Sequence, residues 1–365
     1  MTKIQVKTSK GRTQVLIGKG LLARAGSLMK AAGITGRVLV VTQKRVEGLH
    51  LKPLLKSLRR ARYKVTTHLV PDGEQAKSGE ELFRLYHGLV DHDFERGDVV
   101  LALGGGVVGD VAGFAAATYL RGVSFVNAGT TLLAQVDSSV GGKTGINLGA
   151  GKNLVGSFHP AQLVISDVGT LVTLGERELH ASLAEVVKYG IIRDAHLFGY
   201  LEKFADRILQ KDTTCLTQIV ARSAAIKADV VSRDEFETKG ERMILNYGHT
   251  FAHAFEKALG FRKWMHGEAV AAGMACAARL ARTLKIFSGE EERRQNDLLE
   301  RFHLPISLHA MDLETEEVLS AMMRDKKKRS GKLRFVLPRA VGKVVVRDDV
   351  PLRLVSKVIK ELGGE

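Results

Sequence analysis

His249 and His253 stand one helical turn apart in the run Leu245-Asn246-Tyr247-Gly248-His249-Thr250-Phe251-Ala252-His253-Ala254-Phe255-Glu256, and His266-Gly267-Glu268 follows soon after. Side chains at i and i+4 share one helix face, so both imidazoles can enter the same space. Neutral imidazole is the commonest transition-metal ligand, which makes zinc the first chemistry to consider. A protease-type zinc helix carries a Glu general base between its two histidines. Here that position is Thr250, which argues against hydrolysis of that kind. Spacing alone leaves open which group completes the site and whether both histidines bind metal.

Ordered elements must carry these residues. In the first half, short β-rich runs alternate with helical stretches. The strands expected are Arg37–Thr42, Lys64–Val70, Asp98–Leu103, Ser124–Ala128 and Gln162–Ser166. A helix from Ser78 to Asp91 places Leu82, Leu85, Tyr86 and Leu89 on one face. Continuously apolar strands alternating with helices indicate a mostly parallel sheet in an α/β domain, with ligands at the carboxyl ends of the strands. After about residue 175 the pattern becomes helical: Glu176–Ile192, Ala195–Leu209, Cys215–Val231, Arg242–Leu259, Gly267–Leu284 and Glu290–Arg301. A late hairpin is expected from Leu333–Leu337 and Lys343–Val346. The chain of 365 residues exceeds the roughly 250–300 at which a single core stops growing. Two domains are therefore expected, an α/β domain at 1–175 and a mainly α-helical one at 176–365.

Composition narrows the function classes. Hydrophobic content of 45% and charged content of 26% are ordinary for a soluble globular protein. The N-terminus lacks an apolar signal core, and no apolar run is long enough to span a bilayer, so a cytoplasmic protein with no membrane partner is expected. Cys215 and Cys276 are far apart and form no CxxC, which points to reduced thiols. A net charge of +15 raises the question of nucleic acid. The lysines and arginines are scattered, however, and the densest run is only Arg324-Asp325-Lys326-Lys327-Lys328-Arg329. Helix-turn-helix spacing, zinc-finger spacing and stacking aromatics are missing. A basic enzyme surface, with an anionic small-molecule substrate and no nucleic-acid partner, is the better reading.

Two glycine loops bear on that substrate. Gly104-Gly105-Gly106-Val107-Val108-Gly109-Asp110 follows a strand and opens a helix, and its G-x-G-x-x-G suits close approach to a pyrophosphate. A lone match of this kind also fits a plain tight turn. Asp137-Ser138-Ser139-Val140-Gly141-Gly142-Lys143-Thr144 looks like a Walker loop but has Asp137 where the first glycine belongs. Lys143 and Lys152, both framed by glycines, could still neutralise an anion.

Taken in order, these segments resemble the 3-dehydroquinate synthase family over nearly the whole chain. The resemblance rests on Asp72-Gly73-Glu74-Gln75-Ala76-Lys77, Gly104 through Gly122, Thr130 through Asn147, Lys152-Asn153 and Ala184 through Gly190. Asn246 through His253, His266-Gly267-Glu268 and Asp325-Lys326-Lys327 complete it. It implies an N-terminal NAD-binding α/β domain, a helical C-terminal metal-binding domain and a homodimer. It also implies one divalent metal, usually zinc, with cobalt as a substitute. The implied reaction converts 3-deoxy-D-arabino-heptulosonate 7-phosphate to 3-dehydroquinate and phosphate in the shikimate route. Transient oxidation by NAD is followed by phosphate elimination, re-reduction and an intramolecular aldol closure. The alternatives are another sugar-phosphate cyclase or a metal-dependent polyol dehydrogenase of the same fold.

The resemblance also assigns roles. Metal ligands fall on Glu185, His249 and His266, which separates His253 from them as a proton or phosphate group. Lys143, Lys188, Asn246, Asp137 and Arg121 join His253 in the active centre, with Arg121 reaching over from a second subunit. Lys152, Asn153, Lys227, Arg242 and Lys326 bind a substrate that carries both a carboxylate and a phosphate. NAD contacts fall on Asp72, Glu74, Lys77, Gly105, Gly106, Val107, Asp110, Thr130, Thr131 and Thr173, beside Lys143 and Lys152. Three departures from the family pattern are visible: Gly129 where a proline is usual, Gln43 where Asp or Asn is usual, and one extra residue between Lys227 and Arg242.

Overall fold

The computed structural model describes the chain except for residues 150, 261, 262, 310, 312, 329–332, 364 and 365, and the side chains of 325–328. It divides into two compact units, Met1–Leu174 with Thr213–Phe236, and Gly175–Asp212 with Glu237–Glu365.

Among the described residues the first unit is built on nine strands: β1 (Thr2–Thr8), β2 (Gly11–Gly18), β3 (Val38–Gln43), β4 (Val65–Val70), β5 (Val99–Gly104), β6 (Ser124–Gly129), β7 (Lys143–Leu148), β8 (Gly151–Phe158) and β9 (Leu163–Asp167). Seven form one sheet in the order β1-β2-β9-β6-β5-β3-β4. All neighbours are parallel except the β1–β2 edge pair. Val38 through Thr42 and every residue of β5 are buried, because helices cover both faces of such a sheet. On one face Val38, Val40, Leu101, Val126 and Ile165 pack with Met29, Leu54 and Leu58. That alternation is the two-residue period of the strand. The helix Gly106–Thr118 packs against β5 and β6. The chain runs from β3 outward to β4, then returns to place β5 on the opposite side of β3. The strand order therefore reverses between β3 and β5, where ligands of open α/β sheets bind. The five strands expected in this half all form, shifted by at most one residue at either end, whereas the late strand expected at Leu333–Leu337 runs Phe335–Ala340. The β1–β2 pair and the β7–β8 hairpin were not anticipated.

The helix Thr213–Arg233 belongs to this unit, not to the helical half where the sequence pattern placed it. Its buried residues, including Cys215, Ile219, Ala224 and Val231, lie against β1 and β2 and the turns Ala134–Ser138 and Val168–Thr173.

The described residues of the second unit are helical apart from one two-stranded hairpin of β10 (Phe335–Ala340) and β11 (Lys343–Arg347) and the loops. Its central helices are Glu176–Arg193, His249–Ala258 and His266–Thr283. The single helix expected over Arg242–Leu259 is broken. A 3-10 turn covers Glu241–Asn246, and Gly248 adopts a left-handed φ of 79° before the helix restarts at His249. A Cβ at Gly248 would also lie 2.9 Å from the Val270 carbonyl oxygen. Conformation and space together demand glycine there. No helix among the described residues is long and apolar enough to cross a membrane.

Candidate metal centre and active site

Glu185 lies in the middle of the helix Glu176–Arg193, in a run where every residue from Ala181 to Ile192 is buried. A carboxylate in such surroundings is costly unless it is paired. Its partners are cationic or metal-binding groups. Lys188 Nζ, one turn along and equally buried, contacts Glu185 Oε2. His249 Nε2 lies 3.5 Å and His266 Nε2 3.6 Å from Glu185 Oε1. Among the described residues, Glu185, His249 and His266 bring one donor atom each to within 4.8 Å of one another.

These donors fit a divalent cation. Zinc takes imidazole nitrogen and carboxylate oxygen at about 2.1 Å in a tetrahedron, whose edges are then about 3.4 Å. The two edges to Glu185 are close to that value. A set of three protein donors, two imidazoles and a carboxylate, is one that catalytic zinc sites use. The outer nitrogens are anchored as well. His249 Nδ1 lies 3.1 Å from the Tyr247 carbonyl oxygen, and His266 Nδ1 lies 3.2 Å from Glu256 Oε1. Both rings thereby turn Nε2 towards Glu185. The Tyr247 hydroxyl is fixed in turn, donating to Gln295 Oε1 at 2.6 Å. His253 is not one of the three donors. Its ring centroid stands 5.5 Å from that of His249 and 6.5 Å from that of His266.

The His249 and His266 imidazoles differ in basicity. Burial, assisted by Lys188, pushes His249 down to about 3, so it is neutral and ready to ligate. Burial also pulls His266 down, but its hydrogen bonds to Glu185 and Glu256 outweigh this and raise it to about 10. Below that pH the metal-free His266 carries a proton that a metal must displace. Zinc binding near pH 7 is therefore expected to release about one proton. Calorimetry in buffers of different ionisation enthalpy measures it, and a binding enthalpy independent of buffer would contradict the charged His266.

In the first unit, Gly105 caps the helix Gly106–Thr118 at the carboxyl end of β5. The helix N-terminus presents unpaired N–H groups and the positive end of its dipole, which suits a pyrophosphate. A Cβ on Gly105 would lie 3.1 Å from Thr131 Cγ2, and one on Gly106 3.1 Å from Ser138 Oγ. Glycine at both positions therefore lets the start of this helix pack closely against Thr131 and Ser138. Thr130 and Thr131 are beside it: Thr130 N donates to the Gly104 carbonyl at 2.9 Å, and Thr131 Oγ1 accepts from Ala134 N at 3.1 Å. Lys77, only 4% exposed, reaches Asp110 Oδ2 at 2.6 Å and contacts Asn153 Oδ1. Asn147, to which the sequence assigned no role, links Glu74 at 2.9 Å to the Asn153 backbone at 2.8 Å. Asp137 holds Lys227 twice, through its carboxylate at 2.8 Å and its carbonyl at 2.7 Å. The return of the helix Thr213–Arg233 makes that pair possible.

Other candidate residues are less concentrated. Lys143 starts β7, while Lys152 and Asn153 lie on β8 of the same hairpin, so the two lysines sit towards opposite ends of it. Asp72 is exposed, and its carbonyl accepts from Gln75. Thr173 Oγ1 lies 2.9 Å from His50 Nε2. Val107 is on the first turn of the glycine-loop helix. Arg121 follows Leu120, both in left-handed backbone, and lines a cleft of about 350 Å³ with Lys10, Arg12, Arg96 and His159. Asn246 ends the 3-10 turn, and the buried Arg242 pairs with Glu237 at 3.3 Å. The Lys326 side chain lies outside the described residues.

The departures are absorbed locally. Gln43 donates to the Pro71 carbonyl at 2.8 Å. Gly129 packs close to Ala134. The extra residue falls in a bend with left-handed Glu237 and Gly240, which leaves the Lys227 and Arg242 pairs intact. Glu256 was overlooked as a site residue. Its signal in the sequence was its place about two helical turns after His249, on the same face.

Known proteins carry the same pattern. The family models described as 3-dehydroquinate synthase N-terminal and C-terminal match residues 67–181 and 182–328. The 3-dehydroquinate synthase of Desulforamulus reducens is 46% identical over 350 residues, covering 96% of this chain and 97% of its own. That of Gloeobacter violaceus is 43% identical over 364 residues, covering 100% of both. Among solved structures, the 2-epi-5-epi-valiolone synthase ValA of Streptomyces hygroscopicus subsp. jinggangensis, with NAD+ and Zn2+ bound, matches at a TM-score of 0.88. It is 29% identical, over 95% of this chain and 96% of its own. With that cyclase more distant in sequence than the dehydroquinate synthases, and with the two family models matching adjoining stretches from residue 67 to residue 328, the chain belongs to the 3-dehydroquinate synthase family.

Proposed function

We propose that the protein converts 3-deoxy-D-arabino-heptulosonate 7-phosphate to 3-dehydroquinate and phosphate. The observation that carries this reading is the convergence of Glu185, His249 and His266 beside Lys188 and His253. Glu185, His249 and His266 would hold zinc or cobalt, and the loop from Gly104 to Gly109 would hold NAD. Once bound, the metal supplies Lewis-acid polarisation of a substrate oxygen, and NAD supplies a temporary hydride acceptor.

The remaining work falls to side chains of this protein. Lys188 offers an ammonium against negative charge developing on the substrate. His253 takes up and returns a proton. Asp137 braces Lys227, so that its ammonium is presented in one place. Lys143, Lys152, Asn153, Asn246, Arg242 and Lys326 bind the carboxylate and phosphate through charge-assisted hydrogen bonds. Gly105, Gly106 and Val107 meet the cofactor pyrophosphate, and the paired Lys77 and Asp110 join them in holding the cofactor. Asp72, Glu74, Thr130, Thr131 and Thr173 complete the cofactor's surroundings. Arg121 serves the site of a second subunit, which makes the enzyme a homodimer, working in the cytoplasm.

Incubation with the heptulosonate phosphate, NAD and zinc tests this. Phosphate and dehydroquinate are expected in equal amounts, with no net NADH. NADH formed in proportion to product would point instead to a polyol dehydrogenase of this fold. A different carbocycle would point to a related sugar-phosphate cyclase. Absence of phosphate release with metal bound would sink the reading.

A further inference from the structure

We infer that the Glu256 carboxylate is a positioning group of the metal centre: it anchors His266 through Nδ1 and so raises the affinity for a divalent cation. The inference rests on reading Glu185, His249 and His266 as a metal site.

The two imidazoles are held by unlike partners. His249 leans on a backbone carbonyl, that of Tyr247, whose own side chain is fully buried and tied to Gln295. His266 has a carboxylate, Glu256 Oε1, at 3.2 Å. His266 also has the greater need of an anchor. Its side chain is 37% exposed, against 13% for His249, and it is the first residue of its helix. An imidazole in that position loses more rotamer freedom when it is fixed. Metal-bound histidines almost always give their second N–H to a carboxylate, carbonyl or water, which sets the tautomer and makes the ligand more basic. Glu256 provides that partner from the helix His249–Ala258, two turns beyond His249. One short helix therefore carries a ligand at its start and the anchor of another ligand near its end. Glu256 also adds negative charge next to a centre where Lys188 already offsets Glu185.

The test uses the full chain stripped of metal by a chelator, with Zn2+ affinity measured by competition against a chromogenic chelator. Wild type should bind one equivalent. Glu256→Ala should bind about 10- to 100-fold more weakly, and Glu256→Gln, which keeps an oxygen acceptor without the charge, should fall between. Affinity for NAD should not change, which a general folding defect would not spare. A Glu256→Ala protein with native circular dichroism and zinc affinity within about twofold of wild type overturns the inference. If that variant does not fold, Glu256→Gln decides: weaker zinc binding supports the inference and wild-type affinity overturns it. Failure of wild type to bind zinc would overturn the underlying metal site itself.

Discussion

His249→Ala should yield a folded protein that holds no stoichiometric zinc and turns over at least about 10³-fold more slowly than wild type. The reason is geometric. Among the described residues His249 is one of three side chains placed to hold a cation, and its loss would leave Glu185 and His266 as the remaining pair. Folding should survive, because His249 opens its helix and alanine is a strong helix former at that place. His253→Ala is the matched comparison. Its ring lies one turn along the same face but outside the donor set. That variant should keep its zinc and its affinity for NAD while losing about 10²- to 10⁴-fold in rate, the usual range for a proton-transfer group. Zinc measured by atomic absorption alongside steady-state rates separates the two. Loss of zinc from His253→Ala, or retention of zinc and rate in His249→Ala, would reverse the assignment.

Gly267→Ala should damage both fold and site, although residue 267 bears no chemistry. A Cβ there would stand 1.7 Å from the carbonyl oxygen of Ala181 and 2.5 Å from its carbon. Both are backbone atoms of the helix Glu176–Arg193, so no side chain can swing away. The two helices would have to separate. Ala181 lies one turn before Glu185 and Gly267 directly follows His266, so separation would pull apart two of the three proposed metal donors. Overpacking of this kind costs on the order of 3 kcal/mol, and a backbone clash is at the severe end. The expected result is a lower midpoint in denaturant unfolding together with weakened zinc binding. Gly199→Ala in the helix Ala195–Leu209 is the control. A Cβ at Gly199 meets nothing within 4 Å, so alanine should stabilise by roughly 0.5–1 kcal/mol and leave zinc binding unchanged. Equal stability of the Gly267→Ala protein and wild type would show that the helices are not held at that distance.

Much of the first unit was legible in the sequence because the inner strands are continuously apolar. Val38–Thr42 and Val99–Gly104 are buried throughout, and turn residues mark where they stop. Two features escaped for physical reasons. The helix Thr213–Arg233 has an ordinary amphipathic face, which states that something must cover it but not which unit does. The break at Gly248 hid inside a helical period, since one left-handed glycine does not disturb the apolar spacing around it.

The site divides along the same line. Local spacing was sufficient to put His249 and His253 on one helix face, because a helix fixes the neighbours of a residue three and four positions away. It also placed a glycine loop after a strand and before a helix. Spacing could not separate ligand from proton carrier, nor recruit Glu185 from a distant helix; those assignments came from resemblance. Only the folded chain shows that Glu185 Oε1 sits about equally far from the two imidazoles, that Glu256 and the Tyr247 carbonyl hold the outer nitrogens, and that Lys227 returns to Asp137. Distances between helices depend on side-chain volumes and backbone contacts made across the core, such as Gly267 against Ala181. Sequence period is blind to those contacts, so the sequence alone determined which residues could do the chemistry, while tertiary packing decided which of them meet.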